Sequence, residues 1–323
     1  MANNDGKDER GNGMPKYIGG AMINNPWYKH ILILRLVAII LLAMVCVFSW
    51  MQLTRPPLVR IMTCDVGQGD AILVTFGQRH LLIDAGPNQA VLRCLQANIL
   101  WWRPIIDVAV MTHPDQDHSG GWPSVLQQYR IHNFVSNGLA ADWTKILPPA
   151  AQAKIDHWHK AEPGDAWMFP EAMVTVVWSE SLRNLFWPTT TTAAAAADTN
   201  SASVGLFLAG SGFGFLTQGD LECPQELALS TFGLLSEVSI LKVSHHGAKT
   251  ATCDQFLPQI RPELALISVG KENSYGHPEV KTLSNLEKWG SWVLRTDQLG
   301  AITLFLSGQG WRLRTEKPNL LSP

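Results

Sequence analysis

The sequence carries no surplus of positive charge. Its 323 residues hold 25 Lys and Arg against 27 Asp and Glu, a formal net charge of −2. A protein that grips nucleic acid by its phosphates is usually basic, so any nucleic acid here is a processed or guided substrate. Cysteine is scarce: five residues exclude a small disulfide scaffold, and with no Cys-x-x-Cys pair nothing suggests a zinc ribbon. Without a Gly-x-Ser-x-Gly word a serine hydrolase is disfavoured. Walker A and dinucleotide fingerprints are absent, leaving no sign of ATP or NAD use. The 26 glycines and 19 prolines follow no period, which excludes a collagen-like chain, and there is no internal repeat. What is present is apolar: 46% hydrophobic residues against 16% charged, enough for a sizeable core in one large domain or two small ones.

The apolar residues are concentrated first near the N-terminus. Residues 1–30 read as a disordered cytoplasmic tail, rich in Asn, Gly and Lys, and residues 31–53 as a transmembrane signal anchor. At ~1.5 Å per residue, Leu36–Leu53 covers roughly 27 Å, enough for a bilayer core. Arg35 stands at its front edge and Trp50 at the far interface. The run is long for a cleaved signal, and Ser49-Trp50-Met51-Gln52 lacks a small-x-small cleavage site. Lys7, Arg10, Lys16 and Lys29 precede the span while only Arg55 and Arg60 follow closely. The positive-inside bias thus places the following domain outside. Residues 54–57 read as a stiff linker, 58–315 as the main domain and 316–323 as a tail. Thr189–Ala197 reads as an inserted surface loop.

In the main domain short apolar runs alternate with helical periodicity. Strands are expected at Val59–Cys64, Ala71–Phe76, His80–Ile83, Asp107–Met111, Ile131–Val135 and Met173–Trp178. A hairpin, Val204–Leu208 with Phe213–Leu216, precedes strands at Val238–Val243 and Leu264–Val269 and three closing strands. Helices are expected at Ala90–Trp101 and Trp122–Tyr129, and near Gln225–Phe232, Asp254–Ile260 and Glu279–Trp289. Hairpins mixed with helices argue for an α/β domain of two packed sheets with helices outside.

Thr112-His-Pro-Asp-Gln-Asp-His-Ser-Gly-Gly121 is the sharpest chemical signal. It follows a buried strand and places His113, Asp115, Asp117 and His118, all of metal-ligand type, within six residues, where a strand-to-helix turn can converge them. Asp220, the pair His245–His246 in Ser-His-His-Gly, and His277 in Tyr-Gly-His-Pro each fall just after an expected strand or in a loop before a helix, at the same sheet edge. His30, His80, His132, His157 and His159 lack such settings and read as structural or solvent-facing.

These words, with Asp65-Val-Gly-Gln-Gly-Asp70, Leu82-Ile-Asp-Ala-Gly86, Asn200-Ser-Ala-Ser-Val204 and Arg295-Thr-Asp297 in the same order, resemble the metallo-β-lactamase-fold domain of the ComEC family, the competence proteins of DNA uptake. The resemblance covers about residues 58–315 and implies an αββα metallo-β-lactamase sandwich with two divalent metal ions at one edge. His113 and Asp115 would hold one ion and Asp117 and His118 the other, with Asp220 bridging and His277 completing the second. One histidine of His245–His246 would complete the first ion or contact the scissile phosphate. Asp117, His245 and His246 are the catalytic candidates. Asp84 matches a motif that braces the metal loop, and Asp70 is expected to act alike. The fold's third histidine, expected before Asp220, has no counterpart; Asn200, Ser201 or Ser203 occupies that segment.

A carboxylate at Asp115 where the wider fold has a second histidine makes the first site harder. It shifts preference from zinc towards manganese or magnesium without excluding zinc. The resemblance implies a membrane-anchored phosphodiesterase acting on DNA, its span in the membrane and a separate channel-forming membrane protein as partner. The same chemistry would serve an extracytoplasmic phosphoester other than DNA, and a metal-binding scaffold without hydrolysis is a third class. Cys64, Cys94, Cys223 and Cys253 would form one or two disulfides if the domain is outside, and buried thiols if it is cytoplasmic.

Overall fold

The computed structural model describes residues 26–53, 59–138, 147–187, 199–233, 235–307 and 310–317. The expected tail before residue 26, the linker and the Thr189–Ala197 loop lie outside these residues. The chain forms two units, residues 1–56 and 57–323. In the first, Pro26–Leu53 is a single helix with exposed apolar side chains. Lys29–Met51 within it is long and apolar enough to cross a membrane.

The second unit is a sandwich of two sheets. Its strands are β1 Val59–Thr63, β2 Ile72–Phe76, β3 Arg79–Ile83, β4 Ile105–Met111, β5 Arg130–Ser136, β6 Ile155–Lys160, β7 Ala166–Met168, β8 Ala172–Trp178, β9 Gly205–Gly210, β10 Phe213–Thr217, β11 Ile240–Lys242, β12 Leu264–Ile267, β13 Trp292–Arg295, β14 Ile302–Ser307 and β15 Gly310–Thr315. The first sheet has the order β15-β14-β1-β2-β3-β4-β5-β6 and the second β13-β12-β11-β10-β9-β8-β7. Between them lies one apolar layer, with Ile61, Val74, Leu81 and Val110 facing Val176, Leu208, Phe215 and Leu266. A second cluster packs helices Val91–Asn98 and Trp122–Gln128 on the outer face of the first sheet, through Leu95, Trp122 and Phe134. A third packs helices Cys223–Thr231, Leu257–Ile260 and Val280–Lys288 on the second sheet, through Leu229, Phe256 and Leu286. Strands buried on both faces read as near-continuous apolar runs, and β2 and β12 are buried at every position.

Helix Val91–Asn98 is shorter than the expected Ala90–Trp101, because Ile99 turns to extended geometry. Two edge strands carry no legible period. Four of the six residues of β6 are exposed and include two histidines, and β7 has only three residues. Both are defined by their ladders to β5 and β8.

Both cysteine pairs are joined, Cys64 to Cys94 and Cys223 to Cys253, each 30 residues apart. Closing such a loop removes unfolded-state entropy worth roughly 3–4 kcal/mol per bridge. Thiol reduction should therefore lower the denaturant midpoint of the domain; an unchanged midpoint would exclude a stabilising role for the bridges.

Beside the second bridge Glu226 is fully buried, accepting from the Cys253 amide and the Thr252 hydroxyl. Burial, opposed by these bonds, pushes its carboxyl up to about 8. It is neutral in the fold up to that pH but ionises from about 4.5 in the unfolded chain. The stability this contributes is whole below 4.5 and is lost as pH rises towards 8, on the order of 5 kcal/mol in all. Glu226→Gln, which mimics the neutral form, should flatten the stability profile across that window. A slope identical to wild type would assign the dependence to another group.

Candidate metal centre

The C-terminal ends of β4, β10, β11 and β12 deliver the sequence-derived candidates to one edge of the sandwich. The loop after β4 is pressed onto the Asp84–Asn88 turn: the Ala85 amide donates to the His118 carbonyl and the Gly121 amide to the Gly86 carbonyl. A Cβ on Gly121 would stand 2.0 Å from the Ala85 carbonyl oxygen, so only glycine permits this approach.

Asp220 is the hub. Its carboxylate lies 3.2 Å from His118 Nε2, 3.7 Å from His245 Nε2 and 3.8 Å from the Nε2 atoms of both His113 and His246. Three of these rings are held from behind through Nδ1. His118 Nδ1 bonds Asp84 at 2.7 Å, His246 Nδ1 faces the Ser268 carbonyl at 3.0 Å and Asp70 at 3.3 Å, and His113 Nδ1 faces the Thr112 hydroxyl at 3.0 Å and Ser203 at 3.3 Å. Partners on Nδ1 fix the tautomer that leaves Nε2 for a cation. Asp84 also accepts from the Thr112 amide and hydroxyl. It takes a positive φ of 57°, a left-handed conformation that aspartate tolerates better than most side chains.

His245 and His246 are both left-handed, at φ 47° and 53°. Consecutive non-glycine residues in that region are costly and persist where surrounding structure holds them, commonly at functional sites. The turn sends the two rings to different neighbours. His246 Nε2 lies 3.2 Å from Asp117 and 3.3 Å from His118 Nε2. It therefore joins the Asp117–His118 side, where His277 was expected. His277 instead neighbours the rings of His245 and Tyr275, each 5.8 Å away between centroids. The reason is local: the left-handed turn, the bond from His246 Nδ1 to the Ser268 carbonyl and the neighbouring Asp70 carboxylate hold His246 inward. Asp115 sits at the rim, 3.9 Å from His113 Nε2, its other oxygen bonded to Thr199.

Where a third histidine was expected stands Ser203. Its hydroxyl faces His113 Nδ1 and accepts from the Asp220 amide, so it positions the site from behind. Lys242 went unread in the sequence. It is fully buried, 2.7 Å from Asp70, and donates also to the Val243 carbonyl. Its only sequence signal is a cation inside an apolar strand.

The electrostatics suit cations. Burial opposes ionisation of Asp220 and Asp117, yet the surrounding histidines hold both carboxyls below the usual range. Burial likewise opposes protonation of His246, but Asp220 and Asp70 push it up to about 9. His118 is raised well above its ordinary value by Asp220 and Asp84 against the same burial. His113, next to His118, is lowered by burial and that neighbour. Its Nε2 is buried with no hydrogen-bond partner, as is one oxygen of Asp220. The residues present thus fit divalent ions, with His113, Asp115, Asp117, His118, Asp220 and His246 as ligand candidates. Among the described residues two groupings are compact enough to hold an ion, His113–His118–Asp220 and Asp70–His118–His246. The second includes Asp70, whose carboxylate also engages Lys242 and faces His246 Nδ1. A separate groove of about 470 Å³ on the outer face of the first sheet, lined by Arg60, Arg93 and Arg314, contains none of the ligand candidates.

The chain is 30% identical over 200 residues to ComE operon protein 3 of Bacillus subtilis (strain 168), covering 61% of this chain and 24% of that protein. It is 28% identical over 259 residues to competence protein ComA of Neisseria gonorrhoeae, covering 78% and 33%. It thus spans about a quarter to a third of the length of these relatives. In fold alone it is similar to CmlA, a diiron β-hydroxylase from Streptomyces venezuelae, at TM-score 0.50 and 11% identity, covering 78% of this chain and 55% of that one. The Metallo-beta-lactamase superfamily matches residues 64–271, across the sheets and loops that bring the histidines and aspartates together; the chain belongs to that superfamily and is related to the competence proteins of the ComEC family.

Proposed function

We propose that this chain is a membrane-anchored, metal-dependent phosphodiesterase acting on DNA outside the cytoplasm, beside a separate channel-forming membrane protein. The observation that carries the hydrolytic reading is the ring of four imidazole Nε2 atoms within 3.8 Å of the Asp220 carboxylate. Two divalent ions bound there would polarise a phosphodiester and ionise water at neutral pH. Asp220 would be shared, His113 and Asp115 would serve one ion, and Asp117, His118 and His246 the other. The first set has one imidazole and carboxylate oxygens, which favours a hard ion such as manganese or magnesium. The second is richer in nitrogen and suits zinc as well. His245, a quarter exposed at the mouth, would donate a proton to a phosphate oxygen or a departing alkoxide.

The DNA assignment draws on the competence relatives. The outward placement draws on the charge bias around the apolar helix and on two disulfides, which persist in oxidising compartments. The near-neutral charge favours a second reading, the same chemistry on a smaller phosphoester. One assay separates them. The full chain in detergent is given manganese, zinc or magnesium and offered single-stranded DNA, duplex DNA and a chromogenic phosphodiester. Metal-dependent DNA cleavage is expected. Turnover of the small ester alone would select the second reading, and no turnover with any metal would leave a scaffold.

A further inference from the structure

We propose that the end of the domain opposite the metal centre seats in the headgroup layer of a phospholipid bilayer, turning the metal centre away from the membrane surface. The proposal rests on the membrane-anchor reading above.

Strand direction defines that end. β4 runs parallel to β3 and delivers His113 beyond its last residue; β10, β11 and β12 run parallel and deliver Asp220, the histidine pair and Ser268. The first residues of these strands therefore mark the far end. β1 is antiparallel to β2 and β2 to β3, so β1 also starts there. The chain thus enters the domain at Val59, on the end away from the metal candidates.

The same end carries exposed aromatic side chains. Trp101 and Trp102, in the turn before β4, are 84% and 63% exposed, their rings perpendicular at 5.5 Å. Leu100 beside them is exposed as well. Trp311 starts β15 and meets Trp292, at the start of β13, at 5.9 Å, so the ends of both sheets adjoin. Met168 and Met173, paired across β7 and β8, are also exposed there. Apolar surface gathered at one end marks an interaction site.

Charge and tether select the occupant. Under the first sheet stand Arg60, Arg79, Arg103 and Arg312, with Arg130 and Lys154 at the starts of β5 and β6. Asp107 and Asp156 pair with Arg103 and Arg130 and Glu171 reaches the β2–β3 turn at Gly77, while Glu237, Glu263 and Arg261 lie on the second-sheet side, so the excess of cations remains under the first sheet. The cationic, tryptophan-bearing side is therefore the one that receives the chain. Tryptophan and arginine together suit the interface and its anionic headgroups. Residues 54–58 separate the apolar helix from Val59, a span of at most about 20 Å when fully extended. A bilayer crossed by the apolar helix would therefore lie within reach of the end at which the chain enters, a proximity not imposed on a second copy or another protein.

The test reconstitutes the full chain in phosphatidylcholine–phosphatidylglycerol vesicles with brominated acyl chains, which quench tryptophan on contact. Trp101→Phe/Trp102→Phe should remove a distinct bromine-quenched fraction of the emission. Arg79→Glu/Arg312→Glu should reduce the quenching of Trp101 and Trp102 in those vesicles. An equal quenched fraction in wild type and the tryptophan variant would overturn the proposal, including where a second copy or another protein shields the pair. Trp50→Phe reports on the anchor separately. If it alone lowers quenching, the anchor stands and the seating falls; if neither variant does, both fall.

Discussion

Asp220→Ala should strip both halves of the metal centre and lower hydrolysis by roughly 10²–10³-fold, the scale on which loss of a principal electrostatic stabiliser acts. Four imidazoles face this one carboxylate. Removing it takes away the negative charge that offsets two neighbouring cations, and it also leaves the raised His118 and His246 facing one another at 3.3 Å. His113→Ala should weaken chiefly the Asp115 side, and His246→Ala chiefly the Asp117 side. Asp84→Ala, which releases His118 Nδ1 and the Thr112 bonds, should cost about 10–100-fold in affinity or activity, as partners that orient ligands do. Metal content of each purified variant and its turnover of a phosphodiester check the order. Normal stoichiometry and turnover in Asp220→Ala would remove Asp220 from the centre and with it the two-ion reading.

Lys242→Met should be the most destabilising single change in the core of the site. Lys242 and Asp70 are fully buried and 2.7 Å apart. Burial alone would raise the Asp70 carboxyl; Lys242 and then His246 outweigh it and hold it well below the usual carboxylate range. Removing one member of a buried pair strands the other charge, at a cost of about 3–5 kcal/mol. The stability held through Asp70 is present above pH 3.8, the ordinary carboxyl value, and is lost as acid protonates the folded carboxylate below it. Lys242→Met combined with Asp70→Asn should recover much of the loss in stability, because no unpaired charge remains. It should not recover metal affinity, since His246 keeps only Ser268 behind its Nδ1. Denaturant midpoints and metal titrations on the single and double variants separate the two effects. Equal stability of Lys242→Met and wild type would show that the pair contributes nothing net.

The legibility of the site follows from how its residues are spaced along the chain. His113, Asp115, Asp117 and His118 are close in sequence, so one loop announces them. Asp220, His245, His246 and His277 are scattered, the first three visible only as residues past a strand end and His277 only as a residue in a loop before a helix. Lys242 and Ser203 gave no comparable signal, because one sits within an apolar strand and the other just after a short helical turn before β9. The edge strands β6 and β7 were illegible for a related reason: exposure on the sheet rim leaves no alternation to read. The cysteines allowed one pair, two or none, and proximity across 30 residues selected both bridges.

The sequence by itself determined the apolar helix, the two-sheet α/β class and the inventory of histidines and aspartates, because each is written in local period or residue type. Tertiary structure decided which atoms meet. Only the convergence of four strand ends makes Asp220 the hub, and only the left-handed turn at His245–His246 assigns His246 to the Asp117 side. Only the parallel and antiparallel ladders place Trp101, Trp102 and the entry at Val59 on the end opposite the metal centre. These relations join residues far apart in the chain, and a contact between distant residues is set by backbone path and packing, which no local pattern encodes.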